Sequence, residues 1–172
     1  MSYAASEATA IDQRVRILQG MALFGAVDAD TLQLILDRAR VMTLTAGEFF
    51  LSEGEEGDAA YLLEEGSVEF FKIREGREYR IRTLDAGECF GQLALLGHCP
   101  RSGYVRALTN TRAIRICYDL LFTVYAHNPR QYMTILMNMA RDMSRRLRDT
   151  EDRLIGCMAA HATGCGDHSS QA

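Results

Sequence analysis

Five glycines at nearly even intervals constrain the fold of this chain more than any other feature. Gly47, Gly57, Gly66, Gly76 and Gly87 are separated by 10, 9, 10 and 11 residues. Short runs rich in β-branched and aromatic residues lie between and after them, the clearest at 67–73, 79–84, 104–107 and 111–117. Turns at such spacing are typical of antiparallel sandwiches and rolls. Residues 41–118 are therefore predicted to form a jelly-roll-like antiparallel β-roll, which closes a pocket that a flat sheet would leave open.

Helical patterns flank the predicted roll on both sides. Before it, apolar residues recur at intervals of three and four within 11–25, and again after Asp28 or Asp30, either of which can cap a helix. After it, Asn128 is a good N-cap and Pro129 is preorganised for the first helical position. A long helix is predicted over 128–155. The expected fold class is α+β, mainly β: a roll with N-terminal helices and one long C-terminal helix.

The long helix carries a heptad seam. Its positions alternate spacings of four and three residues, the period that a two-stranded coiled coil needs. The seam consists of Leu136, Ala140, Met143, Leu147, Thr150 and Leu154. We therefore predict a homodimer through this helix. Its N-terminal half carries further apolar residues, and a helix packed on the chain's own roll is the alternative that accounts for that half.

The chain is predicted to divide into four parts. Residues 1–10 are expected to be a flexible N-terminus, 11–127 the roll with its N-terminal helices, 128–155 the dimerisation helix, and 156–172 a mobile tail of small and polar residues. The tail holds ligand types that suit zinc, namely Cys157, His161, Cys165 and His168. Gly164 and Gly166 argue against one helix that would gather them, so no metal is expected.

Composition excludes several classes of function. Lys and Arg number 19 and Asp and Glu 23, a formal net charge of −4, so a broad electrostatic surface for nucleic acid is not expected. No apolar run reaches the roughly 18 residues of a membrane span. The N-terminus lacks the pattern of a signal peptide, and five cysteines without close pairing do not indicate a disulfide framework. We expect a cytoplasmic protein that contacts neither nucleic acid nor membrane directly.

The stretch 87–107 contains the residues whose chemistry suits ligand binding. A short helix that begins at Gly91 would point unpaired backbone N–H groups at an anion, and the glycine lets a ligand approach the backbone closely. Arg101 offers a planar fork that matches two phosphate oxygens. Ser102 adds a hydroxyl, and Gly103 leaves room beside it. Together these residues describe a phosphate site.

The same stretch resembles the phosphate-binding cassette of the cyclic nucleotide-binding domain family, whose pattern is F-G-E-L-A-L and then, after several residues, P-R-[AST]-A. The resemblance covers about residues 18–154, and the long helix is similar to the dimerisation helix of the bacterial catabolite activator proteins. It implies a cyclic nucleotide ligand, cAMP in preference to cGMP, although Ser102 could serve either base. It also implies that Thr150 contacts the purine, in its own subunit or across the dimer. The implied site residues are Phe90, Gly91, Gln92, Leu93, Ala94, Pro100, Arg101, Ser102, Gly103 and Thr150.

Two residues depart from the family pattern. Gln92 stands where the family has a Glu that accepts a hydrogen bond from the ribose 2′-hydroxyl. Glutamine still accepts that bond but without charge assistance, which costs about 1 kcal/mol of binding free energy. Gly103 stands where the family usually has Ala, and it is expected to loosen the loop after Arg101 slightly.

The resemblance implies a regulatory sensor that signals allosterically through its dimer helix to an effector protein in trans. The 17 residues beyond Ile155 are too few for the helix-turn-helix domain of the catabolite activator family. One alternative is a degenerate fold that serves as a nucleotide-independent dimerisation scaffold. Gln92, which replaces the family's Glu, is the main support for this alternative. Another is a haem or redox sensor with Cys89, His98 and Cys99 as ligands. An enzyme is not expected, because no nucleophile–base pair or paired carboxylates are evident.

Overall fold

The computed structural model describes residues 13–164, with side chains through residue 160. The strands in this range are β1 Arg40–Leu44, β2 Phe49–Leu51, β3 Ala59–Glu65, β4 Ser67–Arg74, β5 Arg77–Asp85, β6 Cys89–Phe90, β7 Tyr104–Ala107 and β8 Thr111–Cys117. They form two four-stranded antiparallel sheets, in the orders β1-β8-β3-β6 and β2-β7-β4-β5. The predicted fold class, α+β with an antiparallel roll, is confirmed.

The helices lie before, within and after the roll. Residues 13–19 form α1, and a 3₁₀ turn at Ala22–Phe24 follows it. The other helices are α2 Ala29–Arg38, α3 Gln92–Gly97, α4 Tyr118–His127 and α5 Pro129–Gly164. Asp28 caps α2, because its side chain accepts a hydrogen bond of 2.8 Å from the Thr31 N–H. Helix α4 was not predicted from the sequence, since it begins directly after β8 in a run of aromatic and β-branched residues.

Two hydrophobic clusters stabilise the roll and share the strands β3 and β8. Leu62 and Ile114 belong to the cluster that packs one sheet against the helices, whereas Leu63 and Ala113 belong to the cluster between the two sheets. Because successive side chains of a strand point to opposite faces, β3 and β8 are covered on both faces at these positions. This explains why buried apolar residues follow one another directly there, at Leu62-Leu63 and Ala113-Ile114.

Helix α5 is longer than the sequence analysis expected. The helix was predicted to end near 155, with a mobile tail from 156, but α5 continues to Gly164. Gly156 costs only about 1 kcal/mol inside a helix, and the following Cys157-Met158-Ala159-Ala160 contains strong helix formers. The part of the predicted tail after residue 164 lies outside the described residues.

The chain forms two compact units, and the boundary between Met139 and Ala140 falls inside α5. In the first unit, Ile135 and Met139 are buried in the cluster beneath the helices. Asn138 donates hydrogen bonds to the carbonyls of Leu23 and Gly25. The described part of the second unit, residues 140–164, is helical, and its large apolar side chains through residue 160 are mostly exposed. None of the helices in residues 13–164 has the length and hydropathy that crossing a membrane requires.

Candidate ligand-binding site

Gly91 joins β6 to α3 in a backbone conformation that favours glycine. Its φ is +78°, in the left-handed region, and α3 begins at the next residue, Gln92. A Cβ at this position would lie 2.8 Å from Nη1 of Arg101 and 3.2 Å from the carbonyl oxygen of Ala59. The absence of a side chain at Gly91 therefore leaves the space that the guanidinium of Arg101 occupies.

The Arg101 guanidinium is buried, and only 4% of the residue is exposed. Its Nη1 donates a hydrogen bond of 3.0 Å to the carbonyl oxygen of Gly91, and Nη2 lies 3.8 Å from Oδ1 of Asp58. The guanidinium carbon lies 6.0 Å from the ring centroid of Tyr61. Burial lowers the pKa of Arg101, and Tyr61 and Asp58 oppose that shift. A cation is thus held where water is largely excluded.

The backbone of Arg101 is fixed by the loop between β2 and β3. Its N–H donates to the carbonyl of Glu55 at 2.8 Å, and its carbonyl accepts from the N–H of Gly54 at 2.9 Å. The loop is anchored in turn by a two-pronged ion pair between Glu53 and Arg74, with distances of 3.0 and 3.1 Å. Gly57 packs on α3 so closely that a Cβ would overlap the side chain of Ala94. Loop and helix together position Arg101.

Asp58 connects Arg101 to a second arginine. The exposed carboxylate of Asp58 accepts a hydrogen bond from Nη2 of Arg115, a residue of β8 that lies opposite Tyr61 on β3. Burial lowers the pKa of Arg115, but Asp58 and Tyr61 raise it by more, so the net shift is upward. Sequence reasoning missed Arg115, because only the pairing of β8 with β3 brings it next to the site.

An aromatic cluster lies behind the guanidinium. The Tyr61 ring stacks on Phe90 with centroids 5.3 Å apart, and Phe50 meets both rings edge-on at 5.7 and 5.2 Å. Tyr61 and Phe90 are opposite each other in the pairing of β3 with β6. These rings supply the low-dielectric wall against which the charge of Arg101 is held.

The structure brings nine of the ten residues that the sequence analysis named into one region, the turn–helix–loop from Phe90 to Gly103. Phe90, Gln92, Ala94 and Gly103 are buried in it, whereas Leu93, Pro100 and Ser102 are exposed. A Cβ at Gly103 would lie 2.6 Å from the ring of Phe70, so the glycine allows close packing there. The tenth residue, Thr150, belongs to the second unit. It is exposed, and its hydroxyl donates to the carbonyl of Arg146 at 2.8 Å.

The end of α3 contacts the start of α4 through Tyr118. The Tyr118 hydroxyl donates a hydrogen bond to the carbonyl of Leu95, and its ring stacks on His98 with centroids 5.0 Å apart. The thiol of Cys99 points to the carbonyl of Leu93 at 3.7 Å. Between residues 13 and 164, no three His, Cys, Asp or Glu side chains are grouped as metal ligands. Of the tail residues considered for zinc, the side chain of His161 and all of Cys165 and His168 lie outside the described part.

Comparison with known proteins gives a family model and relatives. The model for the cyclic nucleotide-binding domain matches residues 41–128. The chain is 40% identical over 85 residues to the cAMP-dependent protein kinase regulatory subunit of Emericella nidulans, which is 49% of this chain and 20% of that protein. It is 26% identical over 139 residues to the CRP-like cAMP-activated global transcriptional regulator of Mycobacterium tuberculosis, 80% of this chain and 60% of that protein. The chain thus spans from a fifth to three fifths of these two relatives.

Solved structures agree with the fold. The catabolite activator protein of Thermus thermophilus superposes with a TM-score of 0.69 at 25% identity, covering 80% of this chain and 63% of that one.

Replacing Gly91 by Ala tests how tightly Arg101 is placed. Gly91→Ala and the control Gly47→Ala both put a side chain at positive φ, which costs about 1–2 kcal/mol. Only Gly91 has a neighbour that a Cβ would strike, since Gly47 has nothing within 4 Å. We expect Gly91→Ala to lower the free energy of unfolding by about 1–3 kcal/mol more than Gly47→Ala, measured by urea denaturation. Equal losses would contradict the tight placement.

Proposed function

We propose that this chain, which belongs to the cyclic nucleotide-binding domain family, is a regulatory module that binds a cyclic nucleotide, cAMP in preference to cGMP, and signals allosterically to an effector protein in trans. The observation that carries the proposal is the buried guanidinium of Arg101. Among residues 13–164, its five N–H donors have one hydrogen-bond acceptor, the carbonyl of Gly91. A ligand anion supplies the acceptors that this cation lacks.

The chemistry of a cyclic phosphate fits this cation. A cyclic monoester carries one negative charge on two non-bridging oxygens, and a guanidinium can donate to both with its planar fork. A buried charge is costly unless it is paired and hydrogen-bonded. An anionic ligand that pairs with the guanidinium of Arg101 removes this cost, so the burial of Arg101 favours binding of the anion. The first N–H groups of α3, which lack acceptors within the helix, add donors beside the same oxygens.

The choice of cAMP rests on the relatives. Both curated relatives described above have cAMP in their names, whereas the exposed hydroxyl of Ser102 does not select between the bases. In this proposal Arg101 and Gly91 bind the phosphate, and Gln92 accepts a hydrogen bond from the ribose. Thr150 is proposed to contact the purine, either in its own subunit or across the dimer.

The signal is proposed to leave the site through α3. A ligand that draws α3 toward Arg101 also displaces the carbonyl of Leu95, to which the hydroxyl of Tyr118 is bonded. Tyr118 is the first residue of α4, so the movement reaches α4. A useful coupling free energy between ligand binding and this movement amounts to about 1–3 kcal/mol.

A pull-down with and without cAMP tests for the effector protein. The absence of any partner in both samples would count against this part of the proposal.

The long helix is proposed to pair with that of a second copy. Leu147 and Leu154 on the predicted seam are 60% and 59% exposed in the single chain. Exposed leucines one heptad apart indicate a helix face that a second copy covers.

The second candidate function is a dimerisation scaffold that binds no nucleotide. The observation that favours it is Gln92, a neutral and buried side chain where the family has an acidic one. Titration calorimetry of the chain with cAMP and cGMP separates the two candidates, because the scaffold gives no heat of binding with either.

Removing the Arg101 charge tests ligand binding. At about 100 times its dissociation constant, cAMP is expected to stabilise the wild type by roughly 2.7 kcal/mol, read as a rise in melting temperature. Arg101→Gln should lose most of that rise, because the phosphate loses its cation. Arg80→Gln, which removes an exposed arginine of the same roll, should keep it. A full cAMP shift in Arg101→Gln would contradict the proposed phosphate site.

Restoring the family's acid tests the role of Gln92. Gln92→Glu is expected to tighten cAMP binding by about five- to tenfold, because the ribose hydroxyl then donates to a charged acceptor. With 2′-deoxy-cAMP, which lacks that hydroxyl, the gain should vanish. Calorimetric titration measures both ligands. An equal gain with the deoxy ligand, or none with cAMP, would place the ribose elsewhere.

The dimer seam is tested by two neighbouring substitutions. Leu154→Asp puts a charge on the seam, whereas Ile155→Asp puts the same charge one position off it, on a residue that is also exposed. We expect sedimentation to show a dimer for the wild type and Ile155→Asp, and a shift to monomer for Leu154→Asp. The same runs with cAMP measure whether the ligand changes dimer affinity. A monomeric wild type, or equal effects of the two variants, would exclude this seam.

A further inference from the structure

His98 ends α3 in an uncommon backbone conformation. Its φ is +46° and its ψ is +44°, in the left-handed region where glycine is the usual residue at the end of a helix. A glycine stands one position earlier, at Gly97, yet the chain takes the left-handed conformation at His98. Strained residues persist where the contacts around them fix their conformation, and such residues cluster at functional sites.

The contact that fixes His98 is with Tyr118, the first residue of α4. The two rings are nearly parallel, at an angle of 9° and with centroids 5.0 Å apart. The hydroxyl oxygen of Tyr118 lies 3.2 Å from Nδ1 and 3.3 Å from Nε2 of His98, so the hydroxyl lies against the imidazole. Its single hydrogen is donated to the carbonyl of Leu95. His98 thus holds the ring whose hydroxyl connects α4 to α3.

We propose that His98 is a positioning residue, which acts through Tyr118 and sets how firmly α3 is held on α4 before a ligand binds. This inference deepens the proposed function and rests on it, because the bond to Leu95 must yield when α3 moves toward Arg101. Tyr118 is 38% exposed, and the stack keeps its ring from turning further into water. His98 therefore opposes the movement of α3 and also makes that movement reach α4.

Two different substitutions of His98 test this role. His98→Asn keeps a residue that tolerates positive φ but removes the ring, whereas His98→Phe keeps a ring that can stack. We expect His98→Asn to lower the dissociation constant for cAMP by about two- to fivefold in calorimetric titration, because α3 then moves more freely. His98→Phe should keep the wild-type value. A merely structural defect would weaken binding instead.

The matched control is Glu75→Asn, at an exposed residue of the turn between β4 and β5 that also has a positive φ, +53°. This variant should bind cAMP as the wild type does. Hydrogen exchange at the start of α4 is the second readout: cAMP should change it in the wild type and in His98→Phe, but not in His98→Asn. An unchanged or weaker affinity in His98→Asn, an equal gain in Glu75→Asn, or a response of α4 that persists in His98→Asn would overturn the inference.

A measurement without ligand keeps the inference separate from the proposed function. Urea denaturation of the wild type, His98→Asn, Tyr118→Phe and the double variant forms a double-mutant cycle. Tyr118→Phe keeps the ring and removes the hydroxyl. We expect the loss in the double variant to be smaller than the sum of the single losses, because without the stack the hydroxyl is no longer held on Leu95. If the wild type binds no cyclic nucleotide, the proposed function fails while the cycle still reports the positioning. Additive losses would show that His98 does not act through Tyr118.

Discussion

The placement of one charge, the guanidinium of Arg101, governs the arrangement around it. A cation that is almost fully buried needs compensation, and the fold supplies it from several directions: the carbonyl of Gly91, the ring of Tyr61 and, across a longer distance, the carboxylate of Asp58. None of these neutralises it completely, because the nearest carboxylate faces solvent. The guanidinium therefore keeps N–H donors that an anion could use, which is the physical basis of the function proposed for this chain.

Rigidity around that charge comes from elements distant in sequence. The loop before β3 bonds both the N–H and the carbonyl of Arg101, and Glu53 anchors that loop to the end of β4 through Arg74. On the other side, α3 is tied to α4 by Tyr118. The frame that fixes Arg101 is thus continuous with the element that would carry a change onward. In the proposed function, binding and signalling would be coupled because both use the same short helix.

Much of the fold was predictable, and the failures have physical causes. Turn glycines and β-branched runs predicted the roll, because local backbone preferences and strand periodicity act within a few residues. Helix α4 was not predicted because its aromatic and β-branched residues have no strong helical preference. The packing of Leu121 and Val124 against the core stabilises the helix instead. Helix α5 runs past its expected end near 155, although the tail is small, polar and contains three glycines, because Gly156 costs only about 1 kcal/mol inside a helix and helix formers follow it.

The sequence by itself determined the roll, the turn at Gly91 and the nature of the groups at the candidate site, because these depend on short-range conformational preferences and on side-chain chemistry. Only the tertiary structure decided which charges meet. Arg115 and Asp58 are 57 residues apart, and no local pattern reveals that the pairing of β8 with β3 brings Arg115 beside the loop that carries Asp58. Long-range strand register fixes such encounters, and it follows from the packing of the whole roll and not from any one segment.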